Sequence, residues 1–114
     1  MFIEISDLEK AVIDSIKKRT REHKIIGGQI LEEIGMIDPN MSKPGATLRK
    51  VINSLRQKGF AICSDSSGYW YAQTKGELEE TIESLKGRAK KIYEAAAGMQ
   101  KAVTMWDDVQ QKLF

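Results

Sequence analysis

SKPGATLRKVINSLRQKGFAICSDSSGYWYA, residues 42–72, is the stretch on which the fold turns. Ser42 suits a helix cap, and Pro44 suits the first helical position, where its missing N–H costs nothing. Leu48, Val51, Ile52 and Leu55 then recur at helical spacing and make one apolar stripe. Gly59 ends the helix, since a left-handed residue there is what a helix C-terminus favours. Two short runs, 61–64 and 69–72, flank the turn-forming residues 65–68 and read as a β-hairpin. With the stripe inward, Ala46, Lys50, Asn53 and Gln57 point outward, flanked by Thr47, Arg49 and Ser54. Five bases (Lys43, Arg49, Lys50, Arg56, Lys58) stand between residues 43 and 58, and no acid stands between 39 and 64. A carboxylate facing phosphate would be repelled, whereas ordinary helix surfaces mix signs. Arg, Lys and Asn on one helix face are also the side chains that pair with major-groove base edges.

Upstream, Ser6 and Glu9 have capping-box spacing, and Leu8, Val12, Ile13 and Ile16 form the inner stripe of a first helix over 6–20. That helix ends in a basic run of Lys17, Lys18, Arg19, Arg21, His23 and Lys24. It reads either as a solvated helix end, where cations suit the dipole, or as a phosphate-contacting patch. Residues 24–26 suit a small strand. Gly27-Gly28 is a turn, and residues 28–34 make a second helix with Ile30, Leu31 and Ile34 inward. Met36 to Ser42 is a connection whose Asp38-Pro39-Asn40 is turn chemistry. Within the hairpin, Phe60, Ile62, Tyr69 and Tyr71 are candidates for one face, Trp70 packs on the core or on the next helix, and Cys63 reads as a small packed residue.

Thr74 and Glu77 repeat the capping-box spacing, and a long helix follows. Leu78, Ile82, Leu85, Ala89, Ile92, Ala96, Met99, Val103 and Trp106 step by four and three without a break, which is a heptad seam. A helix from 77 to 106 is about 45 Å long, longer than so small a domain can cover. The seam therefore calls for a partner, most simply a second copy of the chain. Gly87 and Gly98 each weaken the helix by about 1 kcal/mol relative to alanine, and Gly98 is a candidate kink or break.

These elements make an α+β chain, mainly helical: a domain over 1–73 and a helical, coiled-coil-like dimerisation segment over 74–114. The order helix, small strand, helix, helix, hairpin is the winged helix-turn-helix plan, and the residues are similar to the DNA-binding domain of biotin-operon-repressor-type regulators. The similarity lies in Gly28 to Gly35, in Ala46 to Arg56, in the helix end Leu55-Arg56-Gln57-Lys58-Gly59, and in Gly68-Tyr69 opening the second hairpin strand. The chain also resembles small phage- and prophage-encoded proteins that join such a domain to a helical tail. The resemblance implies that Lys43, Thr47, Arg49, Lys50 and Asn53 on the third helix, with Ser66 and Ser67 at the hairpin tip, meet double-stranded DNA. The connection from Met36 to Lys43 is several residues longer than the tight turn usual in that family, and the 41 residues after Gln73 are too few for a biotin-ligase domain, so biotin sensing is not carried over.

The expected function is sequence-selective, dimeric DNA binding, in transcriptional regulation or at a phage replication origin or packaging site; the alternative is a winged-helix docking module without DNA binding. No enzyme, cofactor, metal or small-molecule ligand is expected. One His and one Cys cannot supply a four-ligand zinc site, and Glu32 and Glu33, adjacent on a helix, diverge. A net charge of +2 means that any nucleic-acid footprint comes from local clustering. No apolar run approaches bilayer length, the first ten residues lack the pattern of a signal peptide, and a single Cys suits a reducing compartment. The expected location is the cytoplasm, with the nucleoid or, for a phage-encoded protein, in the host cytoplasm.

Overall fold

The computed structural model of the chain describes residues 4–35 and 44–112, with side chains to Asp108. Ser42, Lys43 and the Asp38-Pro39-Asn40 turn lie outside the described residues. The elements are α1 (Asp7–Lys17), α2 (Gly27–Glu33), α3 (Pro44–Gln57), β1 (Ile62–Asp65), β2 (Gly68–Tyr71) and α4 (Lys75–Lys112). The chain is therefore α+β and mainly helical, with a two-stranded antiparallel sheet and a long C-terminal helix. Two compact units divide it, Met1–Thr81 and Ile82–Phe114.

The first unit is built around one apolar cluster. Val12, Ile13 and Ile16 of α1, Ile30 of α2 and Leu48, Ile52 and Leu55 of α3 meet there with Ile25 and Ile62. Leu8, Leu31, Ile34, Val51, Phe60, Tyr69 and Tyr71 pack partly buried around it. The stripes read from spacing thus point inward on all three helices. Local signals set the helix ends. Ser6 and Glu9 form the expected capping box, each bonding the other's backbone N–H at 3.1 Å. Gly35 and Gly59, at φ 70° and 95°, take the left-handed conformation that closes α2 and α3.

The hairpin pairs Ile62 with Tyr71, Cys63 with Trp70 and Ser64 with Tyr69. Alternation puts Ile62, Tyr69 and Tyr71 on the core side, as the sequence suggests. Residues 24–26 do not form a full strand; Ile25 alone bridges Tyr69, through N–H···O bonds of 2.9 and 2.7 Å. Cys63 and Trp70, on the other hairpin face, pack against the start of α4. Trp70 donates its indole N–H to Glu77 at 2.8 Å, and the Cys63 Sγ lies 3.6 Å from the Glu77 carbonyl oxygen. Burial raises the pKa of Cys63, which fits a packed, unreactive thiol. Glu77 also receives half of a capping box: its N–H donates to Thr74 Oγ1 at 3.2 Å. These contacts are why the first unit extends into α4 as far as Thr81, itself buried.

In the second unit α4 runs unbroken through Gly87 and Gly98, so neither glycine ends it. No helix among the described residues is long and apolar enough to cross a membrane.

Glu9 ties α1 to α3 as well as capping α1. Its carboxylate accepts from Lys58 Nζ at 2.7 and 2.9 Å and from Ser54 Oγ at 3.0 Å. Lys58, then the Ser6 N–H, hold its pKa down at about 2 against an ordinary 4.5. A carboxylate whose folded pKa is depressed contributes stability that is fully present above its ordinary pKa and is lost as pH falls through the folded one. Thermal midpoints measured from pH 6 to pH 2 should therefore fall less steeply below pH ~4.5 for Glu9→Gln than for the parent chain. Parallel curves for the two proteins would show that the Glu9 contacts carry no pH-dependent stability.

Candidate nucleic-acid interface

Which cations are free to meet a polyanion depends on what each one touches. In the run that closes α1, four are engaged inside the first unit. Lys17 lies over the rings of Phe60 and Tyr71, at 5.5 and 5.8 Å. Arg19 pairs with Glu33 at 2.7 Å, and Arg21 with Glu80 at 2.7 Å. Lys24 pairs with Asp65 and sits 4.9 Å above Trp70. Lys17 and Arg21 stay exposed while making these contacts, and Arg19 and Lys24 are half-buried. The carboxylates record the same pairings. The Ser15 hydroxyl and then Arg19 lower the pKa of Glu33, and Lys24 and then the Ser67 N–H lower that of Asp65.

The acid-free stretch divides in the same way. Arg56 donates to the Ile62 carbonyl at 3.0 Å and to Ser64 Oγ at 2.9 Å, joining the end of α3 to β1. Lys58 is held by Glu9. Arg49 and Lys50, in contrast, are exposed on α3 and have no ion-pair partner among the described residues. Asn53 and Gln57 are exposed one and two turns further along the same helix. Thr47 is half-buried at the flank of this face. Gly45 and Ala46, both small and half-buried, stand in the first turn of α3.

Ser66 and Ser67 are exposed in the hairpin turn. The Ser67 N–H donates to Asp65 Oδ1 at 2.8 Å, which shapes the turn. Asp65, an unfavourable charge beside phosphate, is already paired with Lys24. Sequence spacing does not disclose that neutralisation, because Lys24 lies 41 residues away.

Most of the oligomerisation candidates lie on α4 without a cover among the described residues. Leu78 and Leu85 are half-buried, whereas Ile82, Ala89, Ile92, Ala96, Met99, Val103 and Trp106 are exposed. Ile92, Met99 and Trp106 are 70, 72 and 68% accessible, values far above those of apolar side chains in a core. Met99, Val103 and Trp106, with Ala102 and Asp107, line a shallow apolar concavity on α4. Among the described residues no three His, Cys, Asp or Glu side chains gather as a metal cage requires.

Comparison with known protein families, curated proteins and solved structures finds no match for the chain.

Proposed function

We propose that the first unit is a winged helix-turn-helix domain that binds double-stranded DNA, with α3 in the major groove and the β1–β2 hairpin as its wing. The observation that carries this reading is the outer face of α3. There Arg49 and Lys50 are exposed with no acid partner among the described residues, while Arg19, Arg21, Lys24 and Lys58 are all ion-paired within the fold. Arg49 and Lys50 supply phosphate or guanine contacts, Asn53 an adenine contact, and the Ser66 and Ser67 hydroxyls and N–H groups phosphate contacts at the wing. The bare seam of α4 supports a homodimer, in which two such domains read two half-sites. Transcriptional regulation is the commonest setting for this plan; a replication-origin or packaging-site protein would use the same surface.

The internal pairing of so many cations favours a second reading, a winged-helix domain that docks on protein instead of DNA. Fluorescence-anisotropy titration of labelled random duplex DNA across a salt series separates the two. DNA binding predicts retention at low salt and a log–log salt slope that falls by about 1 for each phosphate contact removed. Arg49→Ala and Lys50→Ala should each weaken binding several-fold. Unchanged affinity in both variants would remove α3 from the interface, and no retention at low salt would favour docking.

A further inference from the structure

The second unit can pair with a second copy of itself in two directions, and its residues discriminate between them. In heptad terms Ile82, Ala89, Ala96 and Val103 occupy one seam position, and Leu85, Ile92, Met99 and Trp106 the other. Parallel chains stack each residue on its own copy. Trp106 would then meet Trp106 and Met99 meet Met99, while Ala89 meets Ala89 and Ala96 meets Ala96, so crowded layers would alternate with underfilled ones. Well-packed seams set large against small.

Antiparallel chains pair one seam position with the other. With the two-fold axis between Ala97 and Gly98, Ala96 faces Met99, Ile92 faces Val103 and Ala89 faces Trp106. Met99 and Trp106, each exposed on the seam, then each meet an alanine. Ala95 of one copy also comes beside Ala102 of the other, which permits close approach of the helices.

Charge points the same way. Lys86, Arg88, Lys90 and Lys91 form a block of α4 without an acid, and Asp107 and Asp108 form a block without a base. In the parallel pair the four cations of each copy lie at one level, and the aspartates do likewise. In the antiparallel pair residues 86–91 run level with 104–109 of the other copy, so the cations lie along Asp107 and Asp108. Lys86 and Asp107 flank the seam on the same side and come opposite each other twice, once at each end.

From this steric and electrostatic complementarity we infer that α4 covers its seam with an antiparallel second copy, centred between Ala97 and Gly98. The inference rests on the homodimer reading above and gives it a direction. Ile82 of the two copies is then about 46 Å apart along the helix pair at 1.5 Å per residue, instead of side by side.

The test uses the full chain, with buried Cys63 left in place. Sedimentation equilibrium of the parent chain should give a dimer at micromolar concentration. Mixed Lys86→Cys and Asp107→Cys proteins should cross-link to each other under mild oxidation. Neither should cross-link to itself, and Ala89→Cys should not either, because its two copies stand about 25 Å apart, far beyond disulfide reach. Lys86→Glu should weaken the dimer about tenfold, by turning two attractive pairs into repulsive ones, and adding Asp107→Lys should restore it. In a parallel dimer the single change would instead tighten association, by relieving repulsion among the cations. A dimer in which Ala89→Cys cross-links to itself, or in which the charge swap does not restore affinity, overturns the antiparallel arrangement and leaves the dimer standing. A monomer at tens of micromolar overturns both, and a trimer or tetramer overturns the two-helix seam.

Discussion

Gly68→Ala should destabilise the first unit by about 2–6 kcal/mol, combining roughly 1–3 for a non-glycine residue held at positive φ with roughly 1–3 for overpacking. Gly68 sits at φ 143°, and an added Cβ would lie 2.8 Å from the Ile25 carbonyl oxygen and 3.0 Å from its carbon. That neighbour is backbone, fixed by the two hydrogen bonds between Ile25 and Tyr69, so the methyl group is accommodated only by opening the bridge. Thermal denaturation followed by circular dichroism measures the loss, and amide exchange at Ile25 and Tyr69 locates it. A midpoint within a degree or two of the parent, with both amides still protected, would show that the backbone shifts at little cost. The same close approach gives the Gly68-Tyr69 pair its physical meaning: glycine lets the hairpin lie against residues 24–25, and tyrosine completes the bridge.

Leu55→Ala should cost about 2–5 kcal/mol, the range for emptying a fully buried aliphatic site. Leu55 is entirely inaccessible, in the cluster where α1, α2 and α3 meet Ile25 and Ile62. Small domains are stable by only about 5–15 kcal/mol, so this one truncation removes a large share of the total. The melting midpoint of the first unit should drop by more than about 10 °C. Alanine at exposed Asn53, two residues away, should leave the midpoint nearly unchanged, so the pair separates core loss from any effect of altering α3. Equal midpoints for the two variants would contradict the placement of the apolar stripe. Because Leu55 lies on the inner face and Asn53 on the outer, the comparison also separates stability from DNA affinity, which Asn53→Ala should lower under the proposed function.

Features governed by neighbours a few residues apart are legible in the chain before it folds. The capping box of Ser6 and Glu9, the stripes of α1 and α3, the stops at Gly35 and Gly59 and the hairpin turn all depend on contacts within one or two turns of backbone. The heptad of α4 is legible for the same reason, since it is a property of one helix. Gly98 shows the limit of local propensity: a helix-weakening residue is carried through an otherwise favourable run.

The use of each charge was not legible. Arg19, Arg21 and Lys24 read as one basic run, yet their acids stand 14, 59 and 41 residues away, on α2, α4 and the hairpin. Glu9 reads as a capping residue, but its contacts with Ser54 and Lys58 span 45 and 49 residues. Arg56 and Lys58 belong by sequence to the same acid-free stretch as Arg49 and Lys50, and only the packing of α3 separates them. Periodicity says which side of a helix turns inward. It does not say which distant side chain waits at the helix end, because ion pairs form between whatever the assembled core brings within a few ångströms. Local spacing therefore specifies the helices, the hairpin, their inner faces and the heptad of α4, but not that residues 24–26 contribute only the Ile25 bridge, which depends on Tyr69 far along the chain. Only the packing shows that the first turns of α4 belong with the hairpin, and that Arg49 and Lys50 stay exposed with no acid partner among the described residues while Arg56 is hydrogen-bonded and Lys58 ion-paired within the fold.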